Sequence, residues 1–442
     1  MPEFLSFIPM PEISSGTQAF IRIVYGLFLF GTLLNALPHW KYFFLSEKWK
    51  GYIQSGKWRD QILNPQIFPL VLIIWFLLSL SLIFNFYTVI TSLANLILCR
   101  YFFVSLRWKS LLRGMGAPGF FTYWLAGAVF LFEYTANYAT SLQPLSLLVL
   151  QYDFALIILS SGIYKYQAGY PKNHGMEYGL VNPEWGYWNK FYKKLKPENQ
   201  IFKFLNHSAW SSQILSAVLL LIPETRYLGG LLIILSFAFI LTQIRLGLLC
   251  EMVMLTGFLY FLPGSYPDKI LNLLNISKLS VPDNNTFTLI NSFLAFGLIL
   301  YLFILPLAHA GLFYNFYGKK SLGKPLQKTL EIYTNFWGII IWRVFSVDVI
   351  NFYINVYKQK DSKNRILVSQ YGKFSNHFNH VGESITITSI FTALKYYPAN
   401  NSIFRERLLR YARAFDFNDG ESFIFEYISI IKAENSFKFI PV

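Results

Sequence analysis

LSLLVLQYDFALIILSSGIYKY, residues 145–166, is the stretch on which the reading of the whole chain turns. It is apolar around its full circumference and matches the roughly 20 residues a helix needs to cross a hydrocarbon core. Only Asp153 and Lys165 carry charge within it. An amphipathic helix of a soluble domain would show a polar face, and none is present. The segment therefore reads as a membrane span carrying two ionisable groups.

The rest of the sequence agrees with that reading. Of 442 residues, 54% are hydrophobic and only 14% charged, with 44 Phe, 29 Tyr and 11 Trp. Soluble domains carry about a quarter charged residues, so a soluble globular enzyme is excluded. The net charge of +15 lies between long apolar runs, which makes membrane lipid headgroups the expected anionic partner and argues against nucleic acid. Cys99 and Cys250 both sit in apolar segments and suggest neither a disulfide framework nor a thiolate metal site. The first 16 residues lack the pattern of a signal peptide, so the apolar runs are expected to be spans of the mature protein.

Nine spans are expected, at residues 17–38, 67–86, 88–106, 119–139, 145–166, 208–222, 228–245, 247–262 and 286–309. The long run 228–262 divides at Arg245/Gly247, which predicts a tight hairpin. This count collects Lys41, Lys48, Lys50, Lys57, Arg59, Arg107, Lys109, Arg113, Lys172, Lys190, Lys193, Lys194, Lys196, Lys203 and the basic C-terminal region on one side. Arg226, Lys269 and Lys278 fall on the other. The positive-inside rule then puts the N-terminus outside and the C-terminal domain in the cytoplasm, as in a bacterial inner membrane.

The expected fold class is an all-α polytopic membrane protein with a small C-terminal α+β domain, organised as residues 1–311, an interfacial linker 312–350 and a tail 351–442. Within the linker, residues 332–349 read as an interfacial helix. The tail predicts a hairpin from residues 351–359 and 365–371, helices at 384–397 and 403–414, and strands at 422–431 and 436–442. Arg405, Arg407, Arg410 and Arg413 read as a solvated helix face, with anionic lipid or a protein partner as the alternative. His377 and His380, with Glu383 nearby, lack a convincing third ligand, and no metal is predicted.

Charged groups inside a bilayer normally face protein or water and have a partner. At about 1.5 Å per residue, Arg22, Glu133 and Asp153 lie at comparable depth and are expected to form one cluster, serving either as a register clamp or as a proton relay. Arg100, Lys165, Arg245, Glu251 and His309 are expected to gather at the opposite end, with snorkelling as the alternative. Asp153 and Lys165 are about 18 Å apart along one helix and cannot pair. An amine buried without a partner tends toward its neutral form, which can act as a base.

Around that lysine the sequence runs Ser161-Gly162-Ile163-Tyr164-Lys165, then Tyr170, then Met176-Glu177-Tyr178. This resembles the vitamin-K-dependent γ-glutamyl carboxylase family and its wider bacterial relatives, the horizontally transferred transmembrane domain (HTTM) proteins. The family has a small residue and Gly before the Lys, a Trp five residues after it, and a Met-Glu-Tyr triplet at this separation. A looser resemblance runs from about residue 17 to 262 and includes Pro223-Glu224-Thr225-Arg226-Tyr227-Leu228-Gly229. It implies Lys165 as the general base toward a quinol or vitamin K-like cofactor, with Tyr170, Glu177 and Tyr178 in the substrate-binding segment. The chain departs from the family in having Tyr164-Lys165 for two adjacent lysines, in lacking a large luminal domain, and in the membrane orientation its loops suggest. It also has no histidine between His207 and His309, so His309 is the substitute for the family's late-helix histidine. The alternative is a non-catalytic membrane subunit or assembly factor, reaching a protein partner through the C-terminal domain. Neither a nucleotide-binding nor a hydrolase motif is present, and without repeated halves or paired Gly/Pro-broken helices a transporter is disfavoured.

Overall fold

The computed structural model describes residues 9–112, 116–273, 288–316, 322–337, 347–359, 365–368, 385–392, 401–415 and 421–442. It is mostly helical. The main helices are α1 (Ser15–Ala36), α2 (Phe68–Ile83), α3 (Thr88–Cys99), α4 (Gly116–Tyr138), α5 (Gln143–Gln167), α6 (Met176–Val181), α7 (Gln200–Leu221), α8 (Arg226–Gln243), α9 (Leu249–Gly257), α10 (Tyr266–Leu273), α11 (Thr288–Phe316), α12 (Lys324–Trp337) and α13 (Asn401–Ala414). Every apolar stretch read from the sequence overlaps one of these helices. Five stretches are long and apolar enough to cross a membrane, namely Ser15–Phe44, Thr88–Ser105, Thr140–Gln167, Pro223–Gln243 and Leu289–Asn315, whereas Phe68–Ile83 and Leu249–Tyr260 are shorter apolar helices. Helix α7 starts eight residues ahead of its apolar run, because the Asn199 side chain caps it by accepting from the Ile201 N–H. The α8–α9 hairpin turns where expected, with Gly247 in the left-handed region.

Burial ranks the helices. In the Thr140–Gln167 stretch 67% of the apolar window is buried, against 22% for both Pro223–Gln243 and Leu289–Asn315. Helix α5 is therefore central, while α8 and α11 present apolar outer faces. On α11 the exposed positions Phe293, Phe296, Leu300, Phe303 and Leu307 recur at helical spacing. An exposed apolar stripe of this size is compatible with a membrane.

Loops gather at two ends of the bundle. At one, Ser14 Oγ donates to Asp268 Oδ1 (2.7 Å) and Asn291 Nδ2 to the Tyr138 carbonyl (3.0 Å). At the other, the Gln54 N–H donates to the Lys109 carbonyl (2.7 Å) and the Arg245 N–H to that of Trp185 (2.8 Å). The second end carries the basic loops and also receives the tail.

The tail is a four-stranded antiparallel sheet, β1 (Phe352–Gln359), β2 (Arg365–Leu367), β3 (Ser422–Lys432) and β4 (Phe437–Pro441), in the order β2-β1-β3-β4. Strands β1, β3 and β4 lie where expected, and β2 covers residues 365–367 of the expected 365–371, the turn before it and residues 369–371 lying outside the described residues. In β1, Phe352, Ile354 and Val356 alternate inward with period two. Residues 385–392 and α13 cover that face, with Phe391 and Tyr411 packed on Phe425. The sheet does not stand alone. Tyr411 stacks on Tyr52 at 5.8 Å, Phe437 meets Phe202 at 5.7 Å, and tail and bundle share one hydrophobic core.

Two expectations change here, and one falls outside the described residues. The linker helix α12 starts eight residues before residue 332, because its apolar stripe, through Leu330 and Tyr333, packs against α11, while residues 338–346 of the expected helix lie outside the described residues. The arginine face of α13 is not wholly solvated, since Arg410 turns inward to pair with Glu406 and, at 3.4 Å, with Glu47. Burial lowers the pKa of that guanidinium while Glu47 counteracts it. His377, His380 and Glu383 lie outside the described residues.

Candidate functional site

Helix α5 runs unbroken past Lys165 and ends just before Gly169, whose φ of +107° supplies the left-handed residue that stops it. One turn earlier, Gly162 lets α7 approach closely. A Cβ there would lie 2.7 Å from Ile214 Cγ1 and 2.9 Å from its backbone nitrogen. That approach brings Gln213 between Ser161 and Lys165. Lys165 Nζ donates to Gln213 Oε1 (2.7 Å) and to Ser161 Oγ (2.9 Å), and Ser161 Oγ donates to the same Gln213 oxygen at 2.9 Å. Lys165 is 3% exposed, and no carboxylate lies within ion-pairing distance of it among the described residues. On the outer side of this seam Tyr166 and Trp210 meet edge to face at 5.1 Å, with Tyr166 about half exposed.

The expected second cluster does not gather around Lys165, although Arg245 and Glu251 of that set both lie near Tyr187. His309 is buried on α11 and shares a 2.8 Å hydrogen bond through Nδ1 with Ser160, the residue next to Lys165's serine but directed at a different helix. Arg245 instead donates to the Pro183 carbonyl (3.0 Å) and lies over the Tyr187 ring, and Arg100 donates to Ser105 Oγ at 3.2 Å. Equal depth did not imply contact, because the side chains leave their helices in different directions.

The same correction applies to the trio at the other end. Arg22 Nε lies 3.4 Å from Glu133 Oε1, and Asn85 Oδ1 accepts from the same guanidinium. That pair clamps α1 to α4 and to the α2–α3 turn. Asp153 is not part of it: its Oδ2 accepts from Trp124 Nε1 and from the Tyr301 hydroxyl, both at 2.9 Å. Depth was legible from the sequence, but azimuth around the helix was not.

The segment after Lys165 is built for docking. Tyr170 is fully buried with its ring against Gly175, where a Cβ would come within 2.5 Å of ring carbons. Glu177 is also fully buried. Its carboxylate accepts from the Gly175 N–H (3.1 Å) and from Asn206 Nδ2 (2.7 Å), and Oε1 pairs with Lys432 Nζ of β3 at 2.6 Å. Lys432 also donates to the Asn173 carbonyl (2.5 Å) and lies 5.4 Å over the Tyr178 ring. Burial, and secondarily Glu177, pushes the Tyr178 phenol up to about 12, so it stays protonated beside His174. Nearby, Asn182 Nδ2 donates to the Ile350 and Phe352 carbonyls at 2.9 Å each. Glu177 and Tyr178 thus hold the tail to the bundle through Lys432, Tyr170 packs against Gly175, and the hydrogen-bond partners of Lys165 are Ser161 and Gln213 rather than any of the three.

Sequence reading missed Gln213 and Lys432, and took Ser161 as the small residue of its motif without anticipating its bond to Lys165. A lone amide inside the apolar run 208–222 was the available signal for Gln213. Nothing local marked Lys432, which acts across more than 250 residues of chain.

No family model, no curated protein and no solved structure matches this chain.

Proposed function

We propose that the chain is an integral membrane protein of the carboxylase-like HTTM type, with nine crossings, in which Lys165 is the general base toward a lipid-soluble quinol. The proposed setting is a bacterial inner membrane, with the N-terminus outside and the tail in the cytoplasm. One observation carries the reading: Lys165 is buried in the last turn of the central helix α5 and, among the described residues, hydrogen-bonds only to the neutral oxygens of Ser161 and Gln213. Both bonds are donations. A neutral amine has two hydrogens and one lone pair, so these bonds use its hydrogens and leave the lone pair to accept a proton. A hydroquinone hydroxyl, with a pKa of about 10, is too weak an acid for water but is matched by such a base in a dry site. The transferred proton would rest on Nζ, held between Ser161, Gln213 and the new phenolate. Tyr166 and Trp210 supply aromatic surface where a flat guest would enter from lipid. The bound quinol would supply the redox chemistry.

The crossing count draws support from the pairing of helix ends. Arg22 near the start of α1 meets Glu133 near the end of α4, and Gln151 early in α5 meets Leu259 after α9, as alternating passes require.

The alternative, a non-catalytic subunit or assembly factor, is favoured by a specific observation: the segment expected to bind substrate is occupied in docking the tail. The exposed Ile440 and Val442 at edge strand β4 would be its partner surface.

The test is the quinone content of purified wild-type and Lys165→Met protein, by solvent extraction and chromatography. Near-stoichiometric quinone in the wild type and its loss in the variant are expected. Equal content in the two would overturn the assignment, and a second polypeptide copurifying at fixed ratio with both would favour the subunit.

A further inference from the structure

The bundle's buried carboxylates are not treated alike. Glu133 faces Arg22, and Glu177 faces Lys432. Asp153, 5% exposed at the middle of α5, receives among the described residues only the neutral donors Trp124 and Tyr301, both on Oδ2. Its Oδ1 is buried and has no hydrogen-bond partner among the described residues. Neither protonation state suits this arrangement. As an anion, Asp153 is a charge without a counter-ion among the described residues, and as an acid with its hydrogen shared between Oδ2 and the Tyr301 hydroxyl it still leaves Oδ1 buried without a donor. Both deficits are met by a group that brings positive charge and one donated hydrogen to that atom.

The surroundings select the kind of cation. Hard metal ions take about six oxygen ligands, whereas the described residues offer a carboxylate and a few phenols here, Tyr301 and Tyr333 among them. The rest is aromatic and aliphatic. Tyr301 leads to Tyr333 of α12, with ring centroids 6.5 Å apart, and Tyr333 is close enough to Asp153 to feel its charge. Around them Tyr152, Leu156, Tyr164 and Leu330 pack on Leu305 and Leu312. Rings and aliphatic chains of this kind suit the apolar body of an alkylammonium and attract its charge by cation–π interaction. Helix α12 packs on α11 over the site through Leu330 and Tyr333 and is itself largely exposed.

We propose that Asp153 is the anchor of a binding site for a lipid-soluble amine, whose protonated nitrogen donates to Oδ1 and whose apolar body lies between α11 and α12. About 18 Å along α5 separates this site from Lys165, so it stands independently of the quinol reading.

The test uses the whole protein in lipid nanodiscs. Dicyclohexylcarbodiimide, a lipid-soluble carboxyl reagent, is added with N,N-dimethyldodecylamine or with dodecanol at the same mole fraction, and modified peptides are read by mass spectrometry. Asp153 is expected to be modified. The amine, at about ten times its dissociation constant, should reduce modification about tenfold, and dodecanol should not. In parallel, the amine should raise the unfolding temperature of the wild type but not that of Asp153→Asn, which keeps the acceptors for Trp124 and Tyr301. Absence of modification at Asp153, equal modification with amine and alcohol, or equal thermal response of wild type and variant would each overturn the proposal.

Discussion

Lys165 near the end of α5 and Glu177 in the first turn of α6 are both buried and are separated by one short turn of chain. Their surroundings differ in a single respect. Glu177 has an ammonium at 2.6 Å, an amide donor and a backbone N–H, whereas Lys165 has two neutral oxygens and no counter-ion among the described residues. A charge that is fully paired and hydrogen-bonded is a fastener, because every lone pair is committed and removing either partner strands the other. An amine held only by neutral groups retains the capacity to exchange a proton.

The sharpest way to break this contrast is Glu177→Gln. Leaving Lys432 without its counter-ion should cost about 2–4 kcal/mol, read by thermal unfolding, with the tail becoming sensitive to limited proteolysis at concentrations that spare the wild type. Unchanged stability would show that the ion pair is not the fastener. Gly162→Val should cost less, about 1–3 kcal/mol, because the added methyls meet Ile214 and force α5 and α7 apart. The same variant should lose bound quinone, since it moves Gln213 away from Lys165. Lys165→Met should have the smallest effect on the fold, within about 1.5 kcal/mol, since a thioether of similar volume replaces an amine that pairs with no charge. A loss as large as that of Glu177→Gln would make Lys165 a structural residue and remove the distinction.

Much of the fold was legible because it follows from local pattern. The apolar runs located the helices, Arg245/Gly247 located the α8–α9 turn, and alternation in Phe352–Gln359 located β1. Boundaries moved where a capping group outweighed hydropathy, as at Asn199, or where a stripe found a neighbour, as on α12. The site was half legible. An isolated lysine in an apolar helix announced itself, but its partners Ser161 and Gln213 depend on which face of α7 Gly162 admits. The expected trio Arg22, Glu133 and Asp153 failed for the same reason: rise along a helix is fixed at about 1.5 Å per residue, while the direction of a side chain matters only relative to helices whose placement the pattern does not contain.

Sequence alone determined that this chain forms many apolar helices with a few charges buried among them, since hydrophobic periodicity and the cost of burying charge are properties of a segment by itself. Only the tertiary structure decided which buried charge is paired. Arg22 found Glu133, Lys432 found Glu177 across the length of the chain, and Asp153 and Lys165 were left with neutral neighbours. Pairing depends on the azimuth and spacing of packed helices, and those are set by contacts between residues far apart in sequence.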